Sequence, residues 1–227
     1  MTSSVKADIA HPAKTPNAAA VAGIAFAVLF GLGLTLVRLA ADALGAGEAL
    51  SEETRGRLSL ALALMPFAGI FFLWFIGVVR HHLGALEDQF FATVSLGSGL
   101  LFVALAFVAF AVAGGTLAAY EGGPLAAGTY ALNRAIIDQL FNTSALKMAS
   151  VFMFSLGTLW RKTGAMPRSL TLVTYALALV MMVSLSHNLW LSLIFPVWVL
   201  LVSIYILFAG LHHRAEDRDG VPAHAAD

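Results

Sequence analysis

Five long stretches that are almost free of charged residues constrain the fold of this chain more than any other feature. They comprise residues 15–37, 58–79, 89–120, 139–160 and 169–213, and the only charge within them is Lys147. About 20 apolar residues in a helix cross the roughly 30 Å hydrocarbon core of a bilayer. The last stretch is long enough for two crossings, with Ser186-His187-Asn188 as the turn between them. The pattern therefore predicts six transmembrane helices.

The predicted fold class is an all-α, six-helix transmembrane bundle. Strands of a membrane barrel are only about ten residues long and alternate between polar and apolar residues. These stretches are much longer and show no such alternation. Residues 17–211 form the predicted transmembrane domain, between polar tails at 1–16 and 212–227. Its helices are expected near 17–38, 58–79, 89–114, 139–160, 169–186 and 189–211. The longer connections, 39–57 and 115–138, are too short to fold as domains.

The composition agrees with this interpretation. Of the 227 residues, 59% are hydrophobic and 11% are charged, whereas a soluble domain carries about 25% charged residues. The 13 basic side chains balance the 13 acidic ones, so no strong basic field is present to attract a nucleic acid. The chain has no Cys, which excludes disulfide frameworks and thiol catalysis. The expected partner is the lipid bilayer, with further copies of the chain or other membrane proteins as additional candidates.

The basic residues predict the orientation, because Lys and Arg concentrate on the cytoplasmic side of a membrane. With six crossings, eight basic residues fall on one side and four on the other. The first group is Lys6, Lys14, Arg80, Arg161, Lys162, Arg168, Arg214 and Arg218, and the second is Arg38, Arg55, Arg57 and Arg134. Both termini are therefore predicted to be cytoplasmic, in a multi-pass protein of a bacterial plasma membrane.

Small residues and aromatic residues indicate how the helices pack. Ala19, Gly23, Ala27 and Gly31 recur every four residues in the first helix, with Gly33 beside them. Small residues at this spacing let helix backbones approach closely in lipid, so we expect a helix-packing seam. Four aromatic residues near helix ends are expected to anchor the chain at the membrane interface. They are Trp74, Trp160, Trp190 and Tyr205.

A candidate polar site precedes and enters the fourth predicted helix. Arg134, Asp138 and Asn142 are spaced four residues apart, so on a continuous helix they share one face and the first two can pair. Lys147 lies nine residues after Asp138 and is expected on the opposite side, where it needs a partner on another helix or extends to the headgroups. One interpretation is a polar cavity for a solute or a proton. The other is an amphipathic helix entry. Arg38 is interpreted as a charge flanking the first helix.

Two histidine pairs are weak candidates for a metal or haem site. His81 and His82 follow the second helix, and His212 and His213 follow the sixth. Adjacent residues on a helix point about 100° apart, so only one of each pair can face a given ligand. Polar residues are common at the edges of membrane helices, where they contact water and headgroups without binding a ligand. We therefore expect no metal and no cofactor.

Two segments carry a resemblance to known sequences. Residues 159–170, LWRKTGAMPRSL, are similar to a pattern that links two late helices in bacterial membrane proteins of unknown function. The region from Phe72 to Phe91, through Arg80, Gly84 and Asp88, resembles uncharacterised actinobacterial six-span proteins. The resemblance implies a six-span fold and no particular activity. Pro167 is expected to start the following helix.

Three functions remain open at this point. The first is a non-enzymatic accessory or partner-binding membrane protein. The second is a transporter or channel for a small solute or ion that uses Asp138, Asn142 and Lys147. The third is a metal- or haem-binding redox protein that uses the histidine pairs. A water-filled cavity beside Asp138 would favour the second function over the first.

Overall fold

The structure, a computed structural model, describes residues 15–44, 51–83, 89–121, 123, 125–184 and 189–219. Throughout these ranges the regular structure is helical, which confirms the all-α prediction. The helices are α1 Thr15–Leu44, α2 Glu52–Leu83, α3 Gln89–Glu121, α4 Ala127–Asp138, α5 Leu146–Thr163, α6 Arg168–Val183 and α7 Leu189–Asp219, and a π-helical segment, Gln139–Ala145, joins α4 to α5.

Among the residues that the structure describes, four helices are long and apolar enough to cross a membrane. Their apolar segments are Ala18–Ala40, Glu52–Arg80, Gln89–Tyr120 and Leu191–Ala209. The helix α6 is also apolar but shorter. Large hydrophobic side chains such as Phe67, Trp74 and Leu172 project outward from the bundle, where lipid would cover them. The chain is therefore a helical membrane protein with several long apolar helices.

Helices that follow one another along the chain run antiparallel. Gly33 of α1 approaches Met65 of α2. Gly23, ten residues earlier, approaches Phe75, ten residues later. The same inverse relation links α2 to α3, α3 to α4, and α5 to α6. The helix α7 runs parallel to α5 and is therefore antiparallel to α6. Alternation of this kind defines two ends of the bundle. The Arg38 end is where α1 ends and α2 begins, and the Arg161 end is where α5 ends and α6 begins.

A left-handed glycine makes the turn at the Arg161 end. Gly164 has φ +68° and its amide donates to the Trp160 carbonyl at 2.9 Å, which closes α5. Pro167 then immediately precedes α6, as the sequence predicted. Lys162 lies over the ring of Phe91 at 4.7 Å from its centroid, so the end of α5 also contacts the start of α3.

An aromatic core fills the middle of the bundle. Its members contact one another across five helices with ring centroids 4.7–6.4 Å apart. They are Phe26, Phe30, Phe72, Phe102, Phe152, Phe195 and Trp198. Phe26–Phe72 and Phe102–Phe195 are the closest of these pairs, each at 4.7 Å. Such contacts supply van der Waals attraction, which lipid-solvated helices need in place of a hydrophobic drive.

Trp160 belongs to this interior and not to the membrane interface. Its side chain is buried, and its ring centroid lies 5.9 Å from that of Trp198. The indole nitrogen of Trp198 donates to Thr174 Oγ1 at 2.9 Å, so α7 is fixed to α6 in the interior. The expectation that Trp160 anchors the interface is wrong, because its partner on α7 covers it. Trp74 is exposed, as an anchor requires.

The segment between α3 and α5 also differs from expectation. Residues 115–138 were predicted to be a connection, but α3 continues to Glu121 and α4 occupies residues 127–138. The helix α4 carries both polar and apolar side chains, so it lacks the charge-free run that marks the other helices. It packs against the last turns of α3 and forms one wall of the candidate site.

Candidate functional site

A cavity of about 220 Å³ opens at the Arg38 end of the bundle, between α1, α2, α3, α4 and the π-helical segment. A space of about 10–15 Å³ holds one water molecule, so the cavity accepts several waters or a small ligand. Three of the four predicted polar-site residues line it, namely Arg134, Asp138 and Asn142. Lys147 does not.

One wall of the cavity is polar. Tyr130, Asn133, Arg134, Asp138 and Asn142 follow one face of α4 and of the π-helical segment, at intervals of one to four residues. The distance along the helix from the first to the last is about 18 Å at 1.5 Å per residue. The arrangement is therefore a ladder of polar groups that leads from the mouth of the cavity into the bundle.

The facing walls are mostly apolar. Leu34 and Val37 of α1, Leu58 of α2, and Ala113 and Leu117 of α3 line the side opposite α4. Among the described lining residues, the polar groups on these walls lie only at the mouth, where α3 ends and α1 ends. There the cavity is lined by Arg38, Thr116 and Tyr120, and the Tyr120 ring lies 6.3 Å from that of Tyr130. The cavity thus presents a polar wall and an apolar wall to any occupant.

Hydrogen bonds continue the polar wall into the bundle. Asn142 Nδ2 donates to Asp138 Oδ1 at 3.1 Å, and the hydroxyl of Ser192 on α7 donates to Asn142 Oδ1 at 3.1 Å. Ser192 is fully buried. The Asn142 side chain therefore connects a carboxylate on the cavity wall to a hydroxyl in the interior, and Asp138 has a fixed orientation.

The expected pairing of Arg134 with Asp138 does not occur. Within the part of the chain that the structure describes, no ion pair joins them, although they are four residues apart on a helix. Asp138 accepts from Asn142, while Arg134 is exposed at the mouth. Nearby, Asn133 Nδ2 donates to Thr116 Oγ1 at 2.9 Å and ties α4 to α3. Both charges therefore face the cavity separately.

The π-helical segment lies at the deep end of this wall. Gln139–Ala145 forms i→i+5 turns, and the Ser144 hydroxyl donates to the Gln139 carbonyl across five residues at 3.2 Å. Such segments are rare and frequently occur at functional sites. A wider turn also changes the rotation per residue, so the angle between Asp138 and Lys147 no longer follows from 100° steps.

Lys147 binds the end of α6. Its ammonium donates to the carbonyls of Met182 and Ser184, the second at 3.0 Å. Carbonyls in the last turn of a helix have no partner within that helix, and a cation there also interacts favourably with the helix dipole. Lys147 thus has a partner on another helix, which was one of the two outcomes expected for it. It stabilises the α5–α6 contact and takes no part in the cavity.

The predicted seam residues lie along the α1–α2–α7 contact, with one exception. Ala19, Gly23 and Ala27 are buried, and a Cβ on Gly23 would overlap Ser203 Oγ and approach Phe75. A Cβ on Gly31 would meet open space. Gly33 takes the role expected of Gly31, since a Cβ there would overlap the Met65 methyl group.

Sequence reasoning missed several cavity residues. Arg38 was interpreted as a flanking charge only, and it lines the mouth as well. Tyr130 and Asn133, which line the cavity, and Ser192, which donates to Asn142 from the interior, had no signal in the sequence, because their roles depend on which helices meet. The side chains of His81, His82, His212 and His213 lie outside the described residues. Among the residues that are described, no group of three or more His, Asp or Glu is positioned to hold a metal ion.

Comparison with known proteins gives no relative from which to transfer a function. No protein family, no curated protein and no solved structure matches this chain. The resemblance of residues 72–91 and 159–170 to uncharacterised six-span proteins therefore stays a prediction. What the structure shows is several long apolar helices. Those helices indicate a multi-pass membrane protein.

Proposed function

We propose that this protein is a non-enzymatic, six-span membrane protein that binds a small ligand in the cavity at the Arg38 end. The observation that carries the proposal is the cavity of about 220 Å³, with charged and amide groups on one wall and apolar side chains on the other. Ligand sites are typically concave and mostly apolar, with a few polar groups that fix orientation. This cavity has that composition.

The proposed topology places α1, α2, α3, α5, α6 and α7 across a bacterial plasma membrane with both termini in the cytoplasm. The antiparallel alternation supports it, as do the four long apolar helices. With this topology, the eight basic residues of the larger group lie on the cytoplasmic side, in agreement with the positive-inside rule. The cavity then opens to the outside, near the outer headgroups.

A cavity beside Asp138 is the feature expected above of a transporter or channel. Two other features of the cavity nevertheless favour binding over conduction. Phe110 and Phe141 form the deep end of the cavity, with ring centroids 6.1 Å apart. Phe141 also lies 6.0 Å from Phe30, which belongs to the aromatic core. The deep end therefore abuts packed rings, and a solute in the cavity meets a closed floor in this conformation.

The cavity lining also favours binding over catalysis. Among its described residues are one carboxylate, Asp138, and two guanidinium groups, Arg38 and Arg134. General acid–base chemistry usually needs a second titratable group near its working pH, such as His or another carboxylate. The described lining offers charge recognition and hydrogen bonding, which suit an accessory or sensor protein.

A carrier is the second candidate. The hydrogen-bond chain from Asp138 through Asn142 to Ser192 favours it, since this chain extends polar groups past the cavity floor towards α7. A carrier would need the aromatic core to open during its cycle. The cavity would then be reachable from both sides of the membrane at different times.

Single cysteines test the proposal, because the chain has none of its own. Ala113 lines the cavity, whereas Ala111, at nearly the same depth on α3, is exposed on the outer surface of the bundle. In sealed vesicles, a charged, membrane-impermeant maleimide should label Ala113→Cys from the Arg38 side and leave Ala111→Cys unlabelled. Equal labelling of the two variants would refute a water-filled cavity. Labelling of Ala113→Cys from both sides would replace the binding proposal with the carrier.

A further inference from the structure

The charges in the cavity define the chemistry of the ligand, if the proposed binding function holds. Arg134 and Asp138 lie one helical turn apart on the same wall, about 6 Å along the axis. Opposite charges at this spacing usually attract each other. Here they do not pair within the described structure, and each lines the cavity separately.

The two charges lie at different depths. Arg134 is exposed at the mouth, and Arg38 on the α1 side adds a second positive charge there. Asp138 is half-buried one turn deeper and is oriented by Asn142. The mouth therefore attracts an anionic group, and the deeper position attracts a cationic hydrogen-bond donor. A ligand with a single negative charge would leave Asp138 facing it without compensation.

We infer that the cavity binds a zwitterion in which a phosphate or carboxylate and a primary ammonium lie about one helical turn apart. The guanidinium groups bind the anion, for which their planar geometry is well suited. The ammonium donates to the carboxylate of Asp138, which has lone pairs free beyond the one that Asn142 uses. A quaternary ammonium has no N–H to donate and should bind less well.

The shape and walls of the cavity favour a zwitterion that carries hydrocarbon. The volume of about 220 Å³ is below the roughly 300–1,000 Å³ of sites that enclose a drug-sized molecule, so it suits a headgroup-sized moiety. Leu34, Val37 and Leu117 offer apolar contact beside the charged wall. An ethanolamine phosphate group has the required chemistry, either as a phospholipid headgroup or as a free solute.

The test uses the full chain in nanodiscs or delipidated detergent and measures lipid retention by native mass spectrometry. The unmodified protein should retain phosphatidylethanolamine about tenfold better than phosphatidylcholine, as expected for one charge-assisted hydrogen bond. It should also retain phosphatidylethanolamine better than phosphatidylglycerol, which has no ammonium. Equal retention of the ethanolamine and choline lipids, or a preference for phosphatidylglycerol, would overturn the inference. This comparison needs no variant and so does not depend on one folding.

Variants then assign the preference to residues. Asp138→Asn should remove the ethanolamine-over-choline preference, and Arg134→Gln should lower retention of both lipids. The matched control is Arg57→Gln, since Arg57 pairs with Glu53 at the same end and does not line the cavity. An ethanolamine preference that survives Asp138→Asn, or an equal loss in the Arg57 variant, would contradict the assignment. Free phosphoethanolamine that displaces bound lipid at millimolar concentration would identify a soluble zwitterion as the source.

The outcomes separate this inference from the proposed function. Labelling of Ala113→Cys without any headgroup preference would keep the binding cavity and reject the zwitterion. Failure of the cysteine labelling in vesicles that contain no ethanolamine lipid would reject both, because no headgroup could then shield the cavity.

Discussion

Adding one methyl group at Gly23 tests how tightly α1 packs against its neighbours. The Cβ of an alanine would overlap Ser203 Oγ and would lie 2.8 Å from Phe75 Cδ2. Phe75 is fully buried and stacks on Phe72 with ring centroids 6.2 Å apart, so the ring has little room to move away from the new methyl group. We expect the strain at the ring to remain, because interiors that are already close-packed accept extra volume poorly.

The magnitude follows from two opposing effects. Overpacking a filled interior costs about 1–3 kcal/mol. Replacing glycine by alanine within a helix gains about 0.5–1 kcal/mol. Gly31→Ala provides the matched control, since the new methyl group meets open space on the same helix and keeps only the gain. The difference in free energy of unfolding between Gly23→Ala and Gly31→Ala should therefore be about 1–3 kcal/mol, in favour of the latter.

Equilibrium unfolding in mixed micelles measures this difference, with the fluorescence of the buried Trp160 and Trp198 as the signal. The double variant Gly23→Ala, Ser203→Ala should recover part of the loss. Ser203 Oγ is buried, with no hydrogen-bond partner among the described residues, so its removal relieves the overlap at little cost. A Gly23→Ala protein as stable as Gly31→Ala would refute the packing argument.

Three further substitutions test other contacts, each by the shift in the unfolding midpoint. Lys147→Met should destabilise by about 1–2 kcal/mol, because Met182 and Ser184 lose a charged donor, and an unchanged midpoint would show that solvent serves them equally well. Trp198→Phe should cost at least about 1 kcal/mol through the lost hydrogen bond to Thr174, and no loss would contradict the role of that bond. Gly164→Ala should cost about 1–2 kcal/mol, because alanine disfavours φ +68°, whereas a neutral result would mean that the turn can adopt another conformation.

The spacing of charges predicts most helices of this protein because the physics involved is local. A helix in lipid must satisfy its own backbone groups and carry apolar side chains, so each charge-free run marks one. The expected helix at 169–186, for example, corresponds to α6 at Arg168–Val183. The same criterion, a charge-free run, misses α4, because α4 contains charged residues. Its Asn133 and Arg134 are spread among apolar residues, and only contact with α3 shows that this segment lines a cavity.

The site could be predicted only in part for a related reason. The spacing of Arg134, Asp138 and Asn142 places them on one face, and that face does line the cavity. Which neighbour each side chain meets depends on tertiary packing. Asn142 takes the bond expected for Arg134, and Trp198 covers Trp160 from a helix nearly forty residues away. The π-helical segment has no local signature, since an i→i+5 turn uses the same residue types as an α-helix.

The π-helical segment at Gln139–Ala145 also determines how far α4 is rotated about the helix axis relative to α5. A single extra residue within an α-helix turns everything on one side of it by about 100° relative to the other side. Shortening this segment by one residue would keep α5 seated against α3 and α6 while it swung the ladder of α4 away from the opening that it now borders. Insertions and deletions in this stretch therefore provide a way to redirect recognition without rebuilding the scaffold beneath it.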